Sequence, residues 1–216
     1  MGRIDILGEL GKKETKAADI VYEVVKNPDL LPELLNGISS ATTIIRFASA
    51  KILRIISEKK PEILYPSMDF FVNLLDSKNN ILKWNAMDII ANLTTIDTDN
   101  KFNRLFKKFY GYLHDGSLIT AGHVVNNSGK IALAKPEFQD EITKELLKVE
   151  KIPLPTEECR NILIGKIIKT FDVYYGEVKD NGHKDKMISF VKSQLDNPRN
   201  ATKAKAERFL RKLEKR

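Results

Sequence analysis

One helical pattern recurs along the chain at a nearly constant spacing, and this repeat restricts the fold more than any other feature of the sequence. Segments 45–56 (IRFASAKILRII) and 82–93 (LKWNAMDIIANL) carry small or apolar residues at i, i+3, i+4 and i+7, the period of one helix face. The paired positions, 37 residues apart, are Ser49, Ile52, Leu53 and Ile56, and Ala86, Ile89, Ile90 and Leu93. A further shift of 38 residues reaches segment 121–132, where the face continues through Val124, Ser128 and Ile131.

Segments 159–171 and 201–213 predict two more helices of this kind, and each is preceded by another amphipathic pattern and a short polar turn. A pair of helices cannot bury its apolar face alone, whereas stacked pairs can. We therefore predict an all-α fold, an α–α superhelix of about five helix pairs, preceded by a helix near residues 14–26. The predicted organisation is a single domain over 1–216, with an N-terminal capping region at 1–27, repeats at 28–183 and a basic C-terminal capping repeat at 184–216.

The segment NAMDIIANLT carries a resemblance to a known architecture. Ala86, Ile90, Asn92 and Leu93 match the pattern of the third armadillo helix, and Arg46 and Lys83 lie near the basic position that begins the second helix of a HEAT repeat. The chain thus resembles the HEAT/armadillo superfamily over roughly residues 28–216. The resemblance implies that the second helix of each pair lines a concave face, and that this face binds a partner protein or a nucleic acid.

The single tryptophan lies on the helix face opposite the apolar one. Trp84 shares that face with Asp88, Ala91 and Thr95, and the equivalent residue one repeat earlier is Phe47. Aromatic side chains bordered by polar residues are typical of a binding surface; the alternative is that both rings pack under a neighbouring helix or loop. The predicted partner-binding residues are Phe47, Lys51, Arg54, Trp84, Asp88, Thr95 and Asn126. Gly122 and Gly129 fall on the same predicted face.

The net charge of +7 belongs to the C-terminal end of the chain. Residues 184–216 hold eleven basic and four acidic residues, so residues 1–183 sum to zero and provide no general attraction for polyanions. The basic residues surround an apolar stripe formed by Ala206, Phe209, Leu210 and Leu213. This basic C-terminal patch consists of Lys203, Lys205, Arg208, Arg211 and Lys212. We interpret it as a solubilising cap rather than a contact for an acidic partner or nucleic acid.

The sequence contains no recognisable catalytic or metal-binding motif. His114, His123 and His183 lack partners at ligand spacing, and Cys159 stands alone. Segment 97–100 (DTDN) imitates the start of a calcium loop but lacks its glycine and its final glutamate, which favours a helix cap at Asp99 or Asn100. Segment 128–130 (SGK) lacks the first glycine of a phosphate loop, so Ser128 and Gly129 are expected to allow two helices to approach closely.

One enzymatic alternative remains open. DNA-alkylation-repair glycosylases are HEAT-like solenoids that carry a tryptophan and a catalytic aspartate four residues apart on a concave helix, and Trp84 and Asp88 have this spacing. That family also has an arginine on the concave helix of the next repeat and a second tryptophan, and both are missing from this sequence. We therefore predict a non-enzymatic binding protein or scaffold without cofactor or metal.

The partner and the location are also expectations. We expect another protein as the partner and only weak binding of nucleic acid. The sequence has no apolar run of about 18 residues that would span a membrane, its first residues lack the apolar core of a signal peptide, and its one cysteine excludes an internal disulfide. A cytoplasmic location is the resulting expectation.

Overall fold

The computed structural model describes residues 5–12 and 14–215, and these residues form α-helices joined by short turns and 3₁₀ segments, without a β-strand. The predicted all-α fold is confirmed. The helices are α1 Ile6–Leu10, α2 Ala17–Lys26, α3 Leu31–Gly37, α4 Thr43–Lys59, α5 Pro61–Leu64, α6 Met68–Leu74, α7 Asn80–Leu93, α8 Lys101–Gly111, α9 Leu118–Ala134, α10 Gln139–Leu147, α11 Glu157–Tyr174, α12 Asn181–Lys192 and α13 Asn200–Leu213.

The chain divides into two compact units, which we call the N-terminal unit, ending at Asp99, and the C-terminal unit, beginning at Asn100. The N-terminal unit contains α1–α7, and the C-terminal unit contains α8–α13. The predicted single domain over the whole length stays a prediction, and each unit is described by itself. In both, a short first helix is followed by a long second helix, so the five predicted pairs are all found among the described residues: α3–α4, α5/α6–α7, α8–α9, α10–α11 and α12–α13.

In the N-terminal unit, the second helices α4 and α7 pack side by side. The predicted apolar face of both helices is buried, with no more than 1% of any of its eight side chains exposed. Asn92 Nδ2 on α7 donates a hydrogen bond to Ser57 Oγ on α4 at 2.8 Å, and both residues are buried. The polar atoms at this contact are therefore paired, so their burial carries little penalty.

In the C-terminal unit, the second helices α9, α11 and α13 form the main packing, and α11 lies against both of the others. Two hydrogen bonds of the same kind hold them. Thr170 Oγ1 on α11 donates to the carbonyl oxygen of Val125 on α9 at 2.8 Å, and Thr202 Oγ1 on α13 donates to the carbonyl oxygen of Asn161 on α11 at 2.8 Å. All four residues are buried.

A glycine follows each acceptor by four residues, at Gly129 and Gly165, and lies at the contact. A Cβ atom at Gly129 would lie 3.1 Å from the Cβ of Val173. One at Gly165 would lie 2.7 Å from Thr202 Oγ1, closer than real Cβ atoms come. The expected role of Gly129 in a close helix approach is confirmed, and Gly165 repeats it.

The predicted turn chemistry is present at the start of α9 but differs at the start of α8. Gly116 has φ +82°, and the Ser117 side chain accepts a hydrogen bond from the backbone N–H of Thr120. Asn100 occupies the N-cap position of α8, with φ 53°, but its side chain makes no capping bond. Instead, Asn100 Oδ1 accepts a hydrogen bond from Lys135 Nζ at 2.9 Å.

Candidate partner-binding surfaces

Phe47 and Trp84, the two aromatic residues of the predicted surface, are both half-buried. The sequence left open whether these rings are exposed or packed under a neighbouring element. In the structure each ring is partly covered and partly exposed to solvent. The guanidinium of Arg46 lies 5.3 Å from the centre of the Phe47 ring, and Arg46 Nη1 donates to the carbonyl oxygen of Ser40 at 3.1 Å. Part of the Phe47 ring is therefore covered by a positioned cation.

The polar residues predicted around these rings differ in exposure. Lys51 and Thr95 are exposed, and Asp88 is half-buried. Arg54 is half-buried and pairs with Glu58 one turn later at 3.2 Å. Asn126, on α9 of the C-terminal unit, is exposed. Within the N-terminal unit, Lys51 and Asp88 each lie one turn after an aromatic residue, Phe47 and Trp84, and so border the half-buried rings.

Three small residues that we expected on the solvent face are buried instead. Ala91 has no exposed surface. Gly122 and Gly129 lie under α11, where the side chain of Lys166 comes within 3.3 Å of a Cβ position at Gly122 and Val173 covers Gly129. A residue without a long side chain lets the neighbouring helix approach, so these positions serve helix packing. The solvent face of the second helices is narrower than the sequence pattern predicts.

The structure reveals exposed apolar residues that sequence reasoning missed. Ile44 is 61% exposed at the start of α4, and Ile81 is 43% exposed at the start of α7. They lie 37 residues apart, and Ile119, 54% exposed, follows after another 38. These are the offsets of the repeat. An alignment of the repeats could therefore have found these isoleucines as apolar residues that fall outside the buried face.

In the N-terminal unit these isoleucines accompany the aromatic residues. Each precedes an aromatic residue by three positions, so the two share one side of their helix. Because α4 and α7 are neighbours, four apolar side chains lie along the N-terminal halves of two adjacent helices. We call this the apolar surface; it consists of Ile44, Phe47, Ile81 and Trp84.

Helix α13, which carries the predicted basic patch, is firmly docked on α11. Ala206 and Phe209 of the predicted stripe are buried, and Leu210 and Leu213 are half-buried. Ion pairs join Arg199 to Glu158 and Lys212 to Asp172 across the two helices. Lys203, Lys205, Arg208 and Arg211 are exposed. Lys212 therefore serves the packing of α13, while the other four patch residues face solvent.

Two lysines of α11 extend the positive surface, which the sequence did not predict. The side chain of Lys166 crosses Gly122, and that of Lys205 on α13 crosses Gly165 with its Nζ 3.1 Å from a Cβ position there. Lys169, Lys205 and Arg208 line a pocket of about 340 Å³ together with Ile168, Asp172 and Phe209. Burial, followed by the charges of Lys166, Arg199 and Lys169, lowers the pKa of Lys205.

The residues considered for catalysis lie apart or have structural partners. His114 is exposed, and His183 pairs with Asp140 and Asp180. In the segment that imitates a calcium loop, Asp97 is buried and accepts a hydrogen bond from the Tyr65 hydroxyl at 2.7 Å. Within residues 5–12 and 14–215, no three His, Cys, Asp or Glu side chains form a group suited to hold a metal ion.

Comparison with known proteins addresses the fold. No protein-family model matches the chain, and no curated protein matches its sequence. Among solved structures, the chain is similar to a designed armadillo repeat protein with a TM-score of 0.59, over 95% of this chain and 97% of the other. The fold is an armadillo-like helical repeat. The two sequences are 15% identical, so this likeness concerns the fold alone.

The helices of this armadillo-like repeat are not membrane spans. Throughout the described part of the chain, every helix is too short or too polar to cross a bilayer.

Proposed function

We propose that this armadillo-like repeat protein is a non-enzymatic binding protein or scaffold that recognises another protein with the exposed side of its second helices. The observation that supports this most is the exposure of Ile44 and Ile81 at equivalent positions of successive repeats. A solvent-exposed isoleucine adds little to the stability of its own helix. Its burial in an interface is worth up to about 1.5–3 kcal/mol.

The surroundings of these isoleucines fit a binding surface. Phe47 and Trp84 are already half-buried, so their side chains lose less conformational entropy on binding than fully exposed side chains would. Lys51 and Asp88, one turn after Phe47 and Trp84, supply charged groups nearby. A few apolar anchors inside a polar rim is the arrangement that carries most of the affinity in protein interfaces.

Site-specific photo-crosslinking in native extract tests this proposal. A photoreactive residue is placed at position 81, and a second protein carries it at position 69, where Asp69 is exposed on α6 of the same unit. We expect a defined partner band from position 81 that is absent from position 69. Equal labelling from both positions would contradict the assigned surface.

A matched pair of substitutions tests the same surface by affinity. Ile44→Asp combined with Ile81→Asp should weaken capture of the crosslinked partner at least tenfold, or about 1.4 kcal/mol. Tyr22→Asp is the control, because Tyr22 is 62% exposed on α2 of the same unit but outside the apolar surface. Full capture by the double variant, with its helical circular dichroism unchanged, would reject the proposed function.

A further inference from the structure

We propose that α11 and α13 of the C-terminal unit form a second binding site, for an acidic segment of a partner protein. Four side chains hold its carboxylates: Lys166 and Lys169 on α11, and Lys205 and Arg208 on α13. We call these four residues the basic surface. The inference rests on the proposed function, since the partner is a protein, and extends it to a surface with a stated ligand chemistry.

The first support is that the basic surface lacks counter-ions. Among the described residues, no carboxylate lies within ion-pair distance of any of its four cations. The flanking cations differ, because Arg199 pairs with Glu158 and Lys212 pairs with Asp172. Asp172 also lines the pocket beside these cations, but its carboxylate is paired with Lys212. The four cations of the basic surface therefore keep a net positive charge.

The second support is that packing holds these cations together. Gly165 lets α13 approach α11 closely, and the Lys205 side chain, although exposed, crosses over that glycine. Lys169, Lys205 and Arg208 then line the same pocket, together with Asp172 and the buried side chains of Ile168 and Phe209. Burial lowers the pKa of Lys205 most, and the neighbouring charges of Lys166, Arg199 and Lys169 lower it further, because like charges held close repel one another. A bound anion relieves this repulsion.

The third support is that the size of the basic surface favours a peptide. Lys166 and Lys169 are one turn apart, as are Lys205 and Arg208, so each row extends about 4.5 Å along its helix. Side chains on one side of an extended peptide repeat about every 6.6–6.8 Å. The basic surface therefore spans two or so acidic residues of an extended segment, whereas tight DNA binding draws on about six to ten phosphate contacts.

The nature of the pocket also favours carboxylates over bases. Proteins that bind single-stranded nucleic acid stack the bases on exposed aromatic rings. The aromatic ring in this pocket belongs to Phe209, which is buried beneath the cations and is 2% exposed. A base has no ring to stack on there, while a carboxylate needs only the ammonium and guanidinium groups at the rim.

Fluorescence anisotropy with a labelled glutamate dodecapeptide tests the assignment on the full-length chain. At about 0.1 M salt, where charges are screened beyond about 10 Å, we expect saturable binding. Lys169→Glu combined with Lys205→Glu should weaken it at least tenfold. The control is Lys107→Glu combined with Lys179→Glu, which changes the net charge equally at two exposed positions of the same unit. An equal loss in both variants, or no binding by the wild type, would overturn the site.

A second arm separates the ligand classes and the two proposals. Unlabelled glutamate peptide should displace the probe at a lower concentration than a thymidine dodecanucleotide does; the reverse order would overturn the acidic-segment assignment in favour of nucleic acid. Lys169→Arg combined with Lys205→Arg should retain binding. The Ile44→Asp and Ile81→Asp variant should bind the peptide normally, so failure of the basic surface and failure of the apolar surface give different results.

Discussion

Thr202 donates its hydroxyl hydrogen to the backbone carbonyl of Asn161, and this bond joins α13 to α11 inside the C-terminal unit. It repeats, one helix pair later, the kind of bond that Thr170 on α11 makes to Val125 on α9. A helical carbonyl has a second lone pair, so it accepts the extra hydrogen bond without giving up its place in its own helix. The glycine four residues after each acceptor allows the approach, so hydrogen bond and glycine act as one docking device.

Replacement of Gly165 by alanine should break this device. The added Cβ would lie 2.7 Å from Thr202 Oγ1, so the hydroxyl or the helix must move. We expect a loss of about 1–3 kcal/mol of unfolding free energy, measured by urea denaturation. The control is Gly111→Ala, where nothing lies within 4 Å of the new atom. That variant should be neutral or up to about 1 kcal/mol more stable. Equal stability of both variants would contradict the docking role.

The buried face of α7 should differ sharply from the solvent face of α4 in its response to alanine. Ile90 is fully buried, and Ile90→Ala should cost about 2–5 kcal/mol because it removes buried methyl groups and leaves a cavity. Lys51 is exposed, and Lys51→Ala should change stability by no more than about 0.5 kcal/mol. Thermal unfolding followed by circular dichroism measures both. Similar losses of stability in both variants would mean that the buried face of α7 and the solvent face of α4 are wrongly assigned.

The spacing of Trp84 and Asp88 calls for a test of base-excision activity. We expect no release of alkylated purines from DNA by the wild-type protein at any substrate concentration. The matching variant is Asp88→Asn, which preserves the shape of the side chain and removes its charge. Purine release by the wild type that is lost in this variant would replace the non-enzymatic proposal with a glycosylase.

Binding to nucleic acid should be weak and should come from α13. Residues 1–183 have no net charge, so the field depends on exposed cations such as Lys203 and Arg211. Each phosphate contact adds about 0.9 to the slope of log affinity against log salt, and we expect a slope below about 4. Lys203→Glu combined with Arg211→Glu should weaken the binding, and Trp84→Ala should leave it unchanged. Tight binding that depends on Trp84 would instead place nucleic acid on the apolar surface.

The sequence predicts which residues share a helix face far better than it predicts how neighbouring helices align. The buried face of α7, including Ile90, follows directly from the helical period, and the exposed isoleucines could have been found from the same repeat. The convergence of Lys169 with Lys205 could not. It depends on the offset between α11 and α13, which is set by the contact of Gly165 with Thr202 rather than by any pattern within one helix.

The docking device also bears on self-assembly. The receiving helices α9 and α11 each place a glycine, Gly129 and Gly165, where the next long helix packs. Helix α13, Asn200–Leu213, contains no glycine. It therefore docks on α11 but offers no equivalent glycine to a further helix. A second copy of the chain cannot continue the stack from α13 by this contact, which removes one route to open-ended filaments.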